Sequence, residues 1–417
     1  MKKMLASFLT LTMLLTMLCI GTAAAEPTEI VFWTALSGNL GETLDTIISD
    51  FNASQDDWNV VAEYQGSYYD IAAKLQTAVV AGEEPDVVQC ECSRVCMFAE
   101  YGIFEDLTEE AAEYGLDVDS LFDGFMADCD WGEGLYALPF NRSTPMFYYN
   151  KTLFDELGLT APTTWDELHE TALAVSKEGE VWGFEVPVDS WFWEAFIVQS
   201  GGSLMNETNT DIGFNNESGW AALSLLRSMV DDGSMKAPPG AEYNAWEAAR
   251  SDLAAGITTM IMTSSGDLRT LMNTCDFEVG TAFLPANEQY GVVTGGANIA
   301  VLAGHDEKMA GIMAFLNYMI SPETAGYWAA NTGYVPISEA ASQTDVYQEF
   351  LATYPAGTTA LAQMEYATNQ PTIPQWTEIA NEFMMDEMQR CVENSEYTPE
   401  MATQTVSDSV KNLIGTN

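Results

Sequence analysis

The sequence has 417 residues, with 62 Asp and Glu against 14 Lys and Arg, so its formal net charge is −48. A protein that binds nucleic-acid phosphates or an anionic membrane surface needs a basic patch, so this charge excludes both classes of partner. Apolar residues make up 47% of the chain and charged residues only 18%, which excludes an acidic disordered protein. The length favours about two domains.

Residues 1–25 have the pattern of a secretory signal peptide. Two lysines precede an apolar run that ends at Ile20, and three alanines offer a cleavage site before Glu26. Lipidation of Cys19 is the alternative, but a leucine stands where a lipoprotein signal has a small residue. We therefore expect cleavage after Ala25 and an exported protein, located in the periplasm or at the cell surface.

The cysteines that follow the leader permit disulfides in an exported protein, and the sequence leaves their pairing open. They are Cys90, Cys92, Cys96, Cys129, Cys275 and Cys391. The cluster over 90–96 is an alternative metal site, but it has no second pair at finger-like spacing, and the two histidines are distant in sequence. We predict that these cysteines are small core side chains, with no metal and no cofactor.

The first part of the chain alternates strand and helix patterns. An apolar run over 30–33 predicts a strand that Gly38 and Gly41 end, and i, i+3, i+4, i+7 spacing over 44–51 predicts a helix. A strand over 60–64, a helix over 69–80 stopped by Gly82, and a strand over 86–89 follow. This alternation predicts α/β layers around a largely parallel sheet.

The same alternation returns after residue 140. The predicted signals are a capping box at Thr164 and Glu167 with a helix to Gly179, a Ser218 cap, a helix over 246–255 stopped by Gly256, and a strand over 257–262. Further helices are predicted from Met309, from Ser321-Pro322 and from about 376. No internal repeat is present.

No catalytic or phosphate-binding motif with a known mechanism occurs in the sequence. Any two of the 62 carboxylates could be nominated as a glycosidase pair, so such a nomination carries no specificity. Aromatic and small polar residues instead gather at the ends of predicted elements, among them Trp33, Trp193 and Ser264. Aromatic rings stack on sugars and hydroxyls orient them, so these residues are candidate ligand contacts. The alternatives are core aromatics and an ordinary strand-to-helix turn at 264–267.

Several motifs in chain order carry a resemblance to a known family. They are Phe32-Trp33 before Gly38–Gly41, Gln65–Tyr68, Pro139–Pro145 running into Tyr148–Lys151, Thr164-Trp165, Ser264–Gly266, Gly295–Ala297 and Thr332–Pro336. With these motifs the chain resembles the extracellular substrate-binding proteins of carbohydrate ABC importers, and among them those that bind glycerol 3-phosphate. The block over 139–151 is the most specific of the motifs.

The resemblance implies a type II periplasmic-binding-protein fold, in which two α/β lobes joined by a hinge close on a ligand cleft. Chain order then places 26–139 and 288–335 in the N-terminal lobe, and 140–287 and 336–417 in the C-terminal lobe. It also implies a monomer without catalysis that delivers a small solute to membrane permease subunits. An extracellular glycoside hydrolase and a sugar-sensing or adhesion module are the alternatives.

Carried over by motif, the resemblance also implies the ligand site. Its residues are Tyr68 and Glu91 from the first lobe, Ser143, Trp165 and Ser264 from the second, and Gly296 and Tyr334 near the crossover. The family's phosphate site also uses an arginine from the C-terminal helical region, but 376–386 contains no cation. Arg142 is the candidate substitute, and a solvent-facing arginine is the alternative. A neutral sugar, a polyol or a zwitterionic glycerophosphodiester therefore competes with glycerol phosphate as the ligand.

Overall fold

The structure is a computed structural model that describes residues 26–237 and 243–415. The predicted signal peptide, with the cleavage and lipidation predictions that depend on it, lies outside these residues. Within the described ranges, no helix is long and apolar enough to cross a membrane.

The strands of the described residues form two main sheets and two small pairs. They are β1 (Thr28–Thr34), β2 (Trp58–Tyr64), β3 (Val87–Glu91), β4 (Asp130–Trp131), β5 (Gly134–Leu135), β6 (Ala137–Ser143), β7 (Pro145–Asn150), β8 (Trp182–Glu185), β9 (Thr258–Ser264), β10 (Val279–Ala282), β11 (Val292–Val293), β12 (Gly295–Val301) and β13 (Ala367–Thr368).

Helices cover the faces of these sheets. They are α1 (Gly38–Ser54), α2 (Tyr68–Ala81), α3 (Val95–Glu100), α4 (Thr108–Glu113), α5 (Asp123–Met126), α6 (Lys151–Leu157), α7 (Trp165–Val175), α8 (Ser190–Gln199), α9 (Glu217–Asp231), α10 (Tyr243–Ala254), α11 (Leu268–Thr274), α12 (Met309–Ile320), α13 (Pro322–Thr332), α14 (Glu339–Ser342), α15 (Asp345–Thr353), α16 (Thr358–Gln363), α17 (Trp376–Glu378), α18 (Met385–Glu393) and α19 (Pro399–Gly415). A π-helical turn, Ile379–Met384, joins α17 to α18.

The first sheet has five strands in the order β2-β1-β3-β12-β6. Its neighbours β2, β1 and β3 run parallel, whereas β12 is antiparallel to both β3 and β6. The second sheet has four strands in the order β10-β7-β9-β8, and only β8 and β9 are parallel. The prediction of α/β layers is confirmed, but the second sheet is mostly antiparallel.

The chain crosses between the two sheets at three places. Strand β6 ends at Ser143 in the first sheet, and β7 begins at Pro145 in the second. The chain returns through the segment between β10 and β12, and crosses again where β13 pairs with β11. The expected architecture of two sheet-centred units with a cleft between them is therefore confirmed.

Two apolar cores hold these units, and they share the second sheet. Met146 and Tyr148 of β7 belong to the first core, whereas Phe147 belongs to the second. This alternation follows from the two-residue period of a strand, which sends neighbouring side chains to opposite faces. Residues 337–360 contribute Tyr347 and Phe350 to the first core, while α17 to α19 pack in the second. The lobe boundaries 26–139, 288–335, 140–287 and 336–417 stay a prediction.

Local sequence signals explain most helix ends. The side chain of Ser321 accepts a hydrogen bond from Thr324 N–H at the start of α13, and Gly82 ends α2 with φ +69° in the left-handed region. Two details differ from expectation. Gly38 and Gly41 lie inside the first turns of α1, and Asn216 rather than Ser218 caps α9.

Helix α7 differs from its prediction at both ends: its capping box is incomplete, and it ends before Gly179. The Thr164 hydroxyl accepts from Glu167 N–H, as predicted, but the Glu167 carboxylate accepts from Thr163 N–H at 2.8 Å instead of from the cap residue. The helix ends at Val175, before Gly179, because Ser176 turns into an extended conformation and its hydroxyl donates back to Ala172 O at 2.7 Å.

Candidate functional site

A cavity of about 460 Å³ opens between the two sheets, where loops and helix starts from both meet. This volume lies in the range of about 300–1,000 Å³ that is usual for ligand pockets. Among its lining residues, Tyr68, Glu91 and Ser143 come from the first sheet and its helices. The facing side includes Trp246 and Ser264. The site is therefore assembled from residues that are distant in sequence.

A buried amide chain positions the Tyr68 ring at the first turn of α2. Gln89 Nε2 donates to Asn141 Oδ1 at 2.8 Å, and Asn141 Nδ2 donates to the Tyr68 hydroxyl at 2.8 Å. Glu91, at the end of β3, is held by Arg94, whose Nε lies 2.7 Å from the Glu91 Oε2. These bonds fix a phenol and a carboxylate on the first side of the cavity before any ligand arrives.

The opposite wall is a pair of stacked indoles held by one carboxylate. Asp189 caps α8, because its Oδ1 accepts from Trp191 N–H at 2.9 Å, while its Oδ2 accepts from Trp246 Nε1 at 3.0 Å. The two indoles stack with centroids 5.8 Å apart and an interplanar angle of 22°. Burial raises the pKa of Asp189, and the nearby Glu91 carboxylate adds to the rise. The result is an aromatic surface with acidic oxygens at its edge.

Two consecutive glycines at the start of β12 let backbone and indole approach each other. A Cβ on Gly295 would lie 2.7 Å from the Trp191 ring, and a Cβ on Gly296 would lie 2.0 Å from Asn141 O. Gly296 also has φ +91°, which side chains with a Cβ rarely adopt. The absence of a side chain at both glycines therefore allows the close packing of this part of the cavity wall.

The turn after β9 brings Ser264 and Asp267 to the cavity, together with Arg250 from α10. Arg250 Nη1 lies 3.1 and 3.2 Å from the two Asp267 oxygens, so its charge is already compensated. Among the described residues that line the cavity, Arg250 is the only Lys or Arg, against the three carboxylates Glu91, Asp189 and Asp267. The cavity is consequently acidic overall.

Gln370 joins the cavity to a fully buried carboxyl group behind it. Its Nε2 donates to the Glu194 oxygens at 3.2 and 2.9 Å, and Glu194 has no exposed surface. Burial raises the pKa of Glu194 to about 8, and the Asp189 and Glu91 charges contribute further. Glu194 is therefore mostly protonated in the folded protein at neutral pH.

The raised pKa of Glu194 predicts that the stability of the protein depends on pH. Because its folded pKa lies above that of an unfolded glutamate, the fold binds the proton more tightly, so Glu194 lowers the free energy of unfolding as pH rises from about 4.5 towards 8. Glu194→Gln should remove this loss, on the order of 4–5 kcal/mol at pH 9. Urea unfolding at pH 5 and pH 9 measures it, with the exposed Glu170→Gln as control. A Glu194→Gln effect of equal size at both pH values would contradict the assignment.

Five of the ten predicted ligand contacts line the cavity and five do not. Those that line it are Tyr68, Glu91, Ser143, Ser264 and Gly296. Those that do not are Trp33, Arg142, Trp165, Trp193 and Tyr334. That any of the ten binds a ligand stays a prediction.

Helix geometry explains why Trp191 and not Trp193 faces the cavity. Two residues along a helix rotate a side chain by about 200°, so the two indoles point to opposite sides of α8. Trp193 is fully buried, donates to Gly219 O at 3.1 Å and packs edge-on against Phe214. Trp165 is also a core side chain, and its Nε1 donates to Gln199 at 2.9 Å. Both indoles belong to the second core.

The remaining two aromatic predictions lie beside the site. Trp33 is half-buried against the first core, and its Nε1 donates to the exposed Glu63 at 3.0 Å. Tyr334 stacks on Trp328 with centroids 5.7 Å apart, and its side chain hydrogen-bonds those of Asn141 and Tyr68. Burial raises the pKa of Tyr334 to about 12. Tyr334 therefore positions a lining residue instead of lining the cavity itself.

Arg142 is a core residue, contrary to both the phosphate-binding and the solvent-facing expectations. Its guanidinium has no exposed surface and makes two bonds to Asp128, at 2.5 and 2.7 Å, and one of 2.7 Å to Asn298 Oδ1. It also lies over the Phe125 ring, 4.9 Å from the centroid. Burial by itself would lower the pKa of Arg142, but the Asp128 charge raises it by more. The net shift of the Arg142 pKa is therefore upward. The charge of Arg142 is therefore neutralised by Asp128 inside the protein.

Five of the cysteines are buried, as predicted, and Cys275 is half-buried. Cys92 also lines the cavity, where burial raises the pKa of its thiol, so it contributes a small neutral surface. Across the described ranges, no group of three or more His, Cys, Asp or Glu is arranged to hold a metal ion.

The sequence analysis missed Asp189, Trp246, Arg250 and Gln370 as lining residues. Asp189 carries a recognisable signal, since an Asp directly before a helical pattern is a cap candidate and sits at an element end. Trp246 and Arg250 are four residues apart on one helix face, but nothing in the sequence says which partner that face meets.

Comparison with known proteins agrees with this architecture. The family model of the bacterial extracellular solute-binding proteins matches residues 46–356. The sn-glycerol-3-phosphate-binding periplasmic protein UgpB of Yersinia pestis is 29% identical over 378 residues, covering 84% of this chain and 83% of the relative.

Two solved structures share the fold over nearly the whole chain. UgpB from Mycobacterium tuberculosis, in complex with glycerophosphocholine, has a TM-score of 0.82 at 22% identity and covers 93% of this chain and 98% of its own. The GacH receptor of Streptomyces glaucescens, studied unliganded and with acarbose, has a TM-score of 0.84 at 19% identity, covering 93% and 99%. Because the family model spans most of the chain, the protein belongs to the bacterial extracellular solute-binding proteins and is the substrate-binding protein of an ABC importer.

Proposed function

We propose that this protein captures an uncharged carbohydrate or polyol in the interlobe cavity and delivers it to the importer's permease subunits. The proposal rests on the charges of the residues that line the cavity. Three carboxylates face the cavity, and the one cation among the described lining residues, Arg250, is paired with Asp267. A phosphate dianion would meet repulsion from Glu91 and Asp189 with no unpaired cation to offset it.

The lining also supplies what a sugar needs. The stacked indoles of Trp191 and Trp246 present an aromatic face, and Ser143, Ser264 and Gln370 present hydroxyl and amide groups. Carboxylates are strong acceptors for sugar hydroxyl donors. In the C-terminal helical region, where the family's phosphate site has an arginine, Asn381 lines the cavity and carries no charge. These features favour hydroxyl recognition over phosphate recognition.

A zwitterionic glycerophosphodiester is the second candidate. Its cationic head could lie on the Trp191–Trp246 pair beside Asp189, since an indole face attracts cations. The relative with the known glycerophosphocholine complex shares the fold but only 22% of its sequence, so the chemistry of this cavity decides between the candidates.

We infer that the bound solute is released unchanged. Each lining carboxylate is engaged by the protein: Glu91 by Arg94, Asp267 by Arg250, and Asp189 by the backbone N–H of Trp191 and the indole N–H of Trp246. These bonds suit fixed acceptors better than a proton donor and a nucleophile that must change partners. We also propose a monomer that works outside the cytoplasmic membrane.

Thermal unfolding against a ligand panel tests the proposal. The panel contains glucose, galactose, sorbitol, maltose, cellobiose, glycerol 3-phosphate and glycerophosphocholine, each added to residues 26–417. An uncharged member present at 100 times its Kd should add about 2.7 kcal/mol to the free energy of unfolding. Glycerol 3-phosphate should add nothing measurable in the millimolar range.

Asp267→Asn serves as the matched variant because it removes the carboxylate that neutralises Arg250. This variant should gain affinity for glycerol 3-phosphate relative to the unsubstituted protein. Tighter binding of glycerol 3-phosphate than of every uncharged compound would contradict the charge argument. Release of shortened sugar from maltose or cellobiose during long incubation would contradict the inference that the solute leaves unchanged.

A further inference from the structure

A second chamber of about 820 Å³ adjoins the cavity on its outer side. Tyr64, Ser67 and Asp70 line it from the first sheet and α2, and Glu247 and Ser251 of α10 line it from the other side. Its floor and walls thus come from both units of the fold, like those of the inner cavity.

The two chambers are parts of one groove. They share six lining residues: Ala35, Ser37, Tyr69, Arg250, Thr270 and Thr274. A solute that occupies the inner cavity can therefore extend outwards past the Arg250–Asp267 pair without leaving the protein. A compact diol such as glycerol phosphate would fill only a fraction of the inner chamber and none of the outer one.

Tyr64 gives the outer chamber an aromatic surface. It is the last residue of β2, and 60% of its surface is exposed. Ser251, Thr270 and Thr274, which carry hydroxyl groups, line the same chamber. An exposed ring beside hydroxyl groups repeats, at the outer end of the groove, the chemistry of the Trp191–Trp246 pair at its inner end.

The charges of the outer chamber also favour a neutral occupant. Asp70 and Glu247 face it together with Arg250, whose charge Asp267 already balances. The pKa of Asp70 is lowered by hydrogen bonds from the backbone and hydroxyl of Ser67, so its carboxylate stays ionised at neutral pH. An anionic polymer would be repelled here as in the inner cavity.

We propose that the outer chamber is a second sugar subsite, with Tyr64 as its stacking surface, so that the physiological solute is an oligosaccharide lying along the groove. The inference rests on the proposed carbohydrate function and extends it to the length of the ligand. Units in the inner cavity stack on Trp191 and Trp246, and the units that follow stack on Tyr64.

Calorimetric titration with linear oligosaccharides of one to five units tests this, using α-glucan, β-glucan, xylan and galactan series. In the series that binds, Kd should fall at least about tenfold between the shortest ligand bound and the one that reaches the outer chamber. Tyr64→Ala should abolish that length-dependent gain, and Tyr64→Phe should restore it, because stacking needs the ring but not the hydroxyl. Tyr101→Ala is the matched control, since Tyr101 is 67% exposed and lines neither chamber.

The outcomes separate the two proposals. If a sugar binds but affinity is independent of length, or if Tyr64→Ala leaves the gain intact, the outer subsite is overturned and the carbohydrate function stands. If no sugar of any length binds in any series and the sorbitol of the ligand panel does not bind either, both are overturned. Because Tyr64 is largely exposed, its alanine variant should unfold at the same temperature as the unsubstituted protein, which circular dichroism checks.

Discussion

Replacing Arg142 with alanine is expected to lower the free energy of unfolding by about 3–5 kcal/mol, because it leaves the Asp128 carboxylate buried without its partner. The guanidinium makes two short bonds to Asp128 and one to Asn298, and it lies on β6 just before the chain crosses to the second sheet. The loss should appear in urea unfolding of the ligand-free protein.

A double substitution distinguishes a structural charge from a ligand contact. Arg142→Met combined with Asp128→Leu removes both charges and should cost less than Arg142→Ala alone. The exposed pair of Lys151 and Asp155 is the control, and Lys151→Ala should cost no more than about 1 kcal/mol. An Arg142→Ala protein of normal stability that has lost affinity for a phosphorylated solute would return Arg142 to the ligand site.

Trp246→Ala is expected to weaken sugar binding by roughly 30- to 150-fold, or about 2–3 kcal/mol, because it removes half of the stacked indole surface. The residue is only partly buried, so its loss should cost binding more than folding. Trp246→Phe keeps a ring but loses the hydrogen bond to Asp189, and should bind with intermediate affinity. Calorimetry with the sugar identified in the ligand panel measures all three proteins.

Trp131 offers a matched control for this substitution. It is also a half-buried indole, and its Nε1 donates to the Glu100 carboxylate at 2.8 Å, but it does not line the cavity. Trp131→Ala should therefore leave the Kd unchanged. Normal sugar binding by Trp246→Ala would show that the indole pair is not the stacking surface.

Sequence patterns predicted the elements of the fold well where local physics dominates. The strand at 30–33 and the helix ended by Gly82 both follow from periodicity and from a glycine in the left-handed region. Patterns failed where two local signals compete. Asn216 precedes Ser218 and takes the capping role, and the glycines expected to stop a strand are accommodated in the first turns of α1.

The candidate site was only half predictable. Glu91 and Ser143, which the family resemblance implied, line the cavity because β3 and β6 end at the same edge of the first sheet. On helices, core tryptophans were taken for ligand contacts, because α8 carries aromatic side chains on several of its faces. On α8 a shift of two positions separates Trp191, which lines the cavity, from Trp193, which lies in the core.

The sequence by itself determined the α/β class, the family and the strongly acidic charge of this protein. The tertiary structure decided what the few cations do: Arg142 is paired with Asp128 inside the first unit, and Arg250 is paired with Asp267 at the cavity. The physical reason is that a charge acts on a ligand only if it is exposed to the ligand and not already neutralised, and both conditions depend on partners far away in the chain.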